Sequence, residues 1–358
     1  MRAFAAIAAC ILLLGAGAAR GGTMEERVER IDRLMHDYGG AVPGAAVLVL
    51  HDGEAVVRRG YGVADLETGA PVAPATNFRL ASLTKQFTAA AILLLAEDGR
   101  LRLDDPVRRW LPTLPDAADP VTLHHLLSHT SGLIDYEEAM PEHPAAQLRD
   151  ADVLALLEQH DRLYFPPGTR YRYSNSAYAL LALVVGKASG QDFAAFLHAR
   201  IFAPLGMDGT VAFEDGVSSV ARRAYGHSLV DGAWRRTDQS PTSAVLGDGG
   251  IYSSIDDLAR WDAALYDERL LSGASRALAF AAQTDGDTGE DDVDAYGYGW
   301  RLAGDMLWHS GETIGFRNVI LRHPRQRLTV IVLSNRNHPE PYRTARAIAD
   351  LWLAPGTD

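Results

Sequence analysis

The strand-like runs of this chain lie at its two ends, with a long helical stretch between them. Near the start, GAAVLVLHDGEAVVRRGYGVAD (residues 44–65) reads as two strands joined at His51-Asp52-Gly53-Glu54, where Asp-Gly is a strong hairpin signal. Near the end, DMLWHSG, FRNVILRHP and RLTVIVLSN are three more strand-like runs, and PYRTARAIADLWLA reads as a closing helix. At the other terminus Thr23 and Glu26 form a capping box, and Val28, Ile31, Met35 and Tyr38 share one apolar face. Isolated hairpins are marginal in water, so the two ends must meet. The expectation is an α+β fold: one five-stranded antiparallel sheet flanked by helices.

The middle differs in texture. Helical periodicity occupies residues 87–97, 151–159, 177–188, 192–201 and 255–266, separated by Pro- and Gly-rich loops such as FPPGTRYRYSN. Residues 19–82 and 296–358 are therefore assigned to the sheet domain, and 83–295 to a mostly helical domain. The acidic run TDGDTGEDDVD (284–294) lacks EF-hand spacing and reads as a solvated loop.

Residues 1–18 do not belong to the fold. Arg2 precedes an apolar run rich in alanine and leucine, and Ala16-Gly17-Ala18 makes an A-x-A cleavage site, as in a signal peptide. The run is short for a membrane anchor, so no stable membrane span is expected after its removal. The protein is expected to be periplasmic or secreted. Cys10 is the single cysteine and would leave with this segment, so neither disulfides nor thiolate chemistry are expected. The net charge of −12 disfavours nucleic acid or an anionic membrane surface as partner.

Basic residues number 34, yet Lys85 and Lys187 are the only lysines. Lys85 follows Ser82 by three residues, which on a helix puts both side chains on one face. A serine hydroxyl needs an adjacent base to become a nucleophile. Lysine can serve once its proton is lost, whereas arginine cannot. An S-x-x-K alone reads equally as an N-cap serine followed by a solvated lysine. Two further elements accompany it. In RYRYSNSAY, Tyr173 and Asn175 stand two apart, so an extended segment would point both the same way. Tyrosine can relay protons, and the asparagine amide can hold a substrate carbonyl or orient the lysine. In WHSGETIGF, His309 and Gly311 fall on a strand where glycine lets a substrate approach the backbone. His124, His125 and His129 in HHLLSH lack an HExxH glutamate and read as structural; no metal or other cofactor is expected.

In this order, S-x-x-K, Y-x-N and H-x-G resemble the motifs of the penicillin-binding serine hydrolases, in particular the class C β-lactamase-like group with its carboxypeptidases, esterases and D-aminopeptidases. LLSHTSGL (126–133) and GGIYSSIDDLARW (249–261) extend the resemblance over about residues 25–353. Class A enzymes carry the sibling set S-x-x-K, S-D-N and K-T-G. The resemblance implies a β-lactamase/transpeptidase-like fold with the site in the cleft between sheet and helical domain. It also implies roles: Ser82 as acylated nucleophile, Lys85 and Tyr173 sharing acid/base work, and Asn175 positioning the substrate amide. His309 would take the place of the third-motif lysine, with Gly311 beside it, and the N–H groups of Ser82 and Glu312 would form the oxyanion hole. Histidine offers less fixed charge than lysine, and Glu312 adds a negative charge if it faces the cleft. Both disfavour a free substrate carboxylate and favour a small-molecule or peptide substrate whose ester or amide lacks one. A D-alanyl-D-alanine carboxypeptidase, a β-lactamase and a non-turnover penicillin-binding sensor stand as alternatives. Nothing in the sequence fixes the oligomeric state.

Overall fold

The computed structural model describes residues 22–284 and 288–353. The expected signal segment, with Cys10 and its cleavage site, lies outside the described residues. The two ends of the chain do build one sheet. Its strands are β1 (Ala45–His51), β2 (Glu54–Tyr61), β3 (Ala295–Tyr296), β4 (Arg301–Ala303), β5 (Met306–Thr313), β6 (Phe316–His323) and β7 (Leu328–Ser334), in the order β2-β1-β7-β6-β5-β4-β3. Every neighbouring pair is antiparallel. The β1–β2 turn places Asp52 and Gly53 at φ 53° and 85°, the left-handed backbone that Asp-Gly provides. The sheet has seven strands where five were expected. β3 and β4 have two and three residues, too few to display a two-residue period.

Alternation along the strands sorts the core into two layers. Ala46, Leu48, Leu50, Ile331 and Leu333 face the helical middle of the chain. Ala45, Val47, Val49, Val330 and Val332 face the terminal helices α1 (Met24–Leu34) and α5 (Tyr342–Ala349), which insert Ile31, Met35, Ala345 and Ile348. Both faces of the inner strands are covered, so β1 and β7 are apolar at nearly every position. Three central helices are α2 (Thr84–Glu97), α3 (Asn175–Ser189) and α4 (Ile255–Ala264). The first two are buried almost all round, as helices apolar on every face must be. α4 is tied to the sheet by a charge pair: Arg322 Nε of β6 donates to Asp262 at 2.6 Å, and Thr329 Oγ1 of β7 donates to the same oxygen at 2.8 Å. No single helix among the described residues is long and apolar enough to cross a membrane.

Candidate active site

Ser82 sits in the 3-10 turn Ala81–Leu83, immediately before α2. Ala81 is held at φ 51°, a strained conformation for a residue with a side chain. The surrounding backbone imposes it. Leu80 N–H donates to Ile251 O at 2.8 Å, and Asn318 Nδ2 of β6 donates to Arg79 O at 2.9 Å and Leu80 O at 3.3 Å. Strand β5 presses on the same turn: a Cβ at Gly311 would lie 2.0 Å from Leu80 O. The glycine of H-x-G was expected to make room for substrate. It makes room for the serine turn of its own chain.

Lys85 is fully buried in the first turn of α2. Its Nζ lies 3.1 Å from Ser82 Oγ, 2.8 Å from Asn175 Oδ1 and 3.0 Å from Asp248 O. The solvated-helix alternative for this lysine is therefore excluded. Asn175 is the first residue of α3, not the end of an extended run; Ser174 caps that helix by accepting from Ala177 N–H. Its amide is engaged on both sides, with Nδ2 donating to Glu137 Oε1 at 3.1 Å. The structure thus has Asn175 orienting the lysine. Tyr173 packs its ring 4.8 Å from Lys85 Nζ. Its buried hydroxyl makes no hydrogen bond among the described residues, and so none to Ser82 or Lys85.

His309 requires a correction as a substrate-contacting group. It is completely buried beneath the cleft, with Nε2 3.0 Å from Tyr296 Oη and Nδ1 2.6 Å from Ser310 O. A neutral imidazole with its proton on Nδ1 satisfies both contacts. Burial, and then the Arg301 guanidinium, push its pKa well below the ordinary histidine value. His129 is likewise buried and held neutral, chiefly by burial and then by Lys85. Its Nδ1 accepts from Ser174 N–H at 3.0 Å, and its ring stacks on Tyr173 at 4.4 Å, so it fixes the tyrosine segment. His124 bonds Tyr298 and His125 caps its own short helix.

The cleft above Ser82 has a volume of about 240 Å³. Arg79, Glu137, Asn175, Asp248 and Glu312 are among its walls. Glu312 follows Gly311 on the strand, so its side chain leaves on the opposite face, that of Met306 and Trp308, where its carboxylate lies 3.6 Å from Arg317; only its backbone borders the cleft. Sequence reasoning missed Asp248, Glu137 and Asn318. Asp248 rides on the short helix Leu246–Gly249, which is wedged so tightly that a Cβ at Gly247 would lie 2.3 Å from Tyr178 O. Burial pushes the Asp248 carboxyl up to about 7, against the pull of Lys85. Tyr136 Oη donates to it at 3.0 Å. Burial, and then Asp135, also raise the Glu137 carboxyl. Arg79 is buried, and its Nη2 donates to Ser243 O at 2.7 Å, so its charge is pinned in the wall. The acidic run 284–294 is not merely solvated in its described part: Glu290 accepts from Arg301 Nε at 2.9 Å and from Tyr171 Oη at 2.6 Å.

A family model for beta-lactamase matches residues 28–353, nearly the whole described chain. The chain belongs to the beta-lactamase family. It is accordingly a serine hydrolase. Among relatives of this beta-lactamase-family chain, penicillin-binding protein 4* of Bacillus subtilis (strain 168) is 34% identical over 332 residues, covering 87% of this chain and 71% of that protein. A D-aminopeptidase of Gluconobacter oxydans (strain 621H) is 31% identical over 327 residues, covering 86% of this chain. The chain spans 58% of that relative's length. The octameric penicillin-binding protein homologue from Pyrococcus abyssi superimposes with a TM-score of 0.80 at 29% identity, over 91% of this chain and 77% of that one.

Proposed function

We propose that this chain is an exported hydrolase that forms an acyl-enzyme on Ser82 and acts on an ester or amide lacking a free carboxylate beside the scissile bond. The observation that carries the reading is the environment of Lys85. A neutral amine has two N–H donors and one lone pair. Asn175 Oδ1 and Asp248 O take the two donors, which leaves the lone pair for the Ser82 hydroxyl at 3.1 Å. Direct proton transfer to Lys85 frees Oγ to attack the carbonyl carbon, and Tyr173, whose ring lies 4.8 Å from Lys85 Nζ, then gives its proton to the leaving group and recovers one from Lys85. The tetrahedral oxyanion is held by the N–H groups of Ser82 and Glu312, and its collapse expels the protonated alcohol or amine. Water then attacks the acyl-serine with the same groups acting in reverse.

The substrate class rests on charge. Among the described lining residues the one cation, Arg79, is bound into the wall, and His309 is neutral and enclosed. A substrate carboxylate would find no unengaged cation there. Being related to a D-aminopeptidase supports the same direction. A panel of p-nitrophenyl butyrate, nitrocefin and a D-Ala-D-Ala peptide tests this. Ester kcat/KM is expected to exceed cephalosporin kcat/KM, with steady turnover. Nitrocefin turnover without esterase activity overturns the substrate class, and stoichiometric labelling without turnover points to a sensor. Export rests on the apolar run ending in Ala16-Gly17-Ala18. Intact mass of exported protein is expected to begin near Ala19, and retention of Met1 would count against it.

A further inference from the structure

With His309 neutral, what stabilises negative charge on the Tyr173 oxygen when it gives up its proton in the transfer? Strand β4 supplies an answer. Arg301 lies opposite Trp308 in the β4–β5 register, and its guanidinium carbon stands 5.2 Å from the Tyr173 ring and 5.0 Å from the Trp308 ring. Its Nη1 donates to Ser310 Oγ at 3.2 Å and comes within 3.4 Å of His309 Nδ1. Its Nε is paired with Glu290. The side chain is only 11% exposed, so solvent screens this charge weakly.

We infer that Arg301 is a positioning residue: a fixed cation behind His309 that, with Lys85 on the other side, stabilises negative charge on the Tyr173 oxygen during proton transfer. This rests on the acyl-enzyme reading above. The groups around the tyrosine and the His129 ring packed on it come from six elements. They are Lys85 of α2, His129 of the 128–133 turn, Tyr171 just before Tyr173, Tyr178 of α3, Tyr296 of β3 and His309 of β5. Asp248 faces Lys85, and Glu290 faces Arg301. The two histidines are held neutral, so Arg301 is the fixed positive charge in this group, and Lys85 joins it once it has taken up the serine proton. At neutral pH a guanidinium cannot lose its charge, so it acts as a constant field. Lys85, by contrast, must change its protonation state in the reaction. The alternative role for Arg301 is a staple that holds the Glu290 loop.

The pH profile separates the two. Removing a nearby cation favours the protonated form of the base, so the acidic limb of log(kcat/KM) moves to higher pH. The variants are Arg301→Lys, Glu290→Gln and the double Arg301→Met/Glu290→Gln, which leaves no unpaired carboxylate. The assay is p-nitrophenyl ester hydrolysis between pH 5 and 9, with thermal melts and the mass of acylated Ser82 alongside. In the double variant the limb is expected to rise by about one pH unit, making kcat/KM about tenfold lower on that limb. Arg301→Lys is expected to restore it, and Glu290→Gln to move it no higher than wild type. If the double variant keeps the wild-type limb, or Arg301→Lys fails to restore it, Arg301 is only a staple and the inference is overturned. A wild type whose Ser82 is never acylated instead overturns the acyl-enzyme reading on which it rests.

Discussion

Lys85 shows how burial changes what a substitution tests. Lys85→Arg retains charge and removes the base, which would make a clean experiment at an exposed site. Here the side chain is fully enclosed, so a bulkier head would overpack the site at about 1–3 kcal/mol. Lys85→Met keeps the stem volume and removes only the amine. It leaves Asn175 Oδ1 and Asp248 O without their donor, so a modest fall in Tm is expected. Ester kcat/KM is expected to fall by at least about 10²-fold, because general-base loss typically costs about 10²–10⁴-fold. Retention within tenfold of wild type would remove Lys85 from the mechanism. Lys187 is the control. It is exposed in the last turn of α3, where either cation suits the helix dipole, and Lys187→Arg is expected to change neither rate nor Tm.

Among the elements, the short helix Leu246–Gly249 links chemistry to stability. Its Asp248 carbonyl orients Lys85, while its carboxyl has a folded pKa of about 7 against an ordinary value of 3.8. A carboxyl raised on folding binds its proton more tightly in the folded state. Its stabilising contribution is complete below about pH 4 and is lost as pH rises through about 7. Asp248→Asn keeps an acceptor for Tyr136 and does not titrate. Melts from pH 5 to 8 are therefore expected to show the variant gaining on wild type as pH rises, and a constant difference would refute the raised pKa. This helix also marks the limit of legibility in the sequence. The Asp52-Gly53 turn, the Thr23–Glu26 capping box and the apolar runs of α2 and α3 were readable because their causes are local. Ser82, Lys85 and Asn175 were readable as ordered motifs, and the structure places all three within one hydrogen-bonded group. Asp248 and Asn318 carry no local mark, since packing across distant segments alone brings them to the serine turn. His309 was misplaced for a related reason: two-residue alternation says that a side chain leaves a strand on one face, not whether Tyr296 and Arg301 already cover it.

At the scale of the molecule, the cleft exists only if the helical middle is held in place on a sheet made from the two chain ends. Much of that contact is apolar and forgiving of small changes. The Arg322–Asp262 pair is not. Arg322 is 1% exposed, ringed by Tyr266, Phe280 and Trp300, and its two terminal nitrogens have no hydrogen-bond partner among the described residues. Among the described residues Asp262 is thus the sole carboxylate neutralising a buried guanidinium between β6 and α4. Breaking such a pair from one side leaves an uncompensated charge and costs about 3–5 kcal/mol, whereas replacing both partners by apolar residues is often neutral. Asp262→Ala is therefore expected to lower Tm by at least about 5 °C. Asp262→Leu combined with Arg322→Met is expected to recover most of that loss. Neither residue touches the cleft, so the folded fraction of each variant should keep wild-type ester KM at 25 °C. A double variant as unstable as Asp262→Ala would mean that the pair supplies a specific bond between sheet and helices that apolar packing cannot replace.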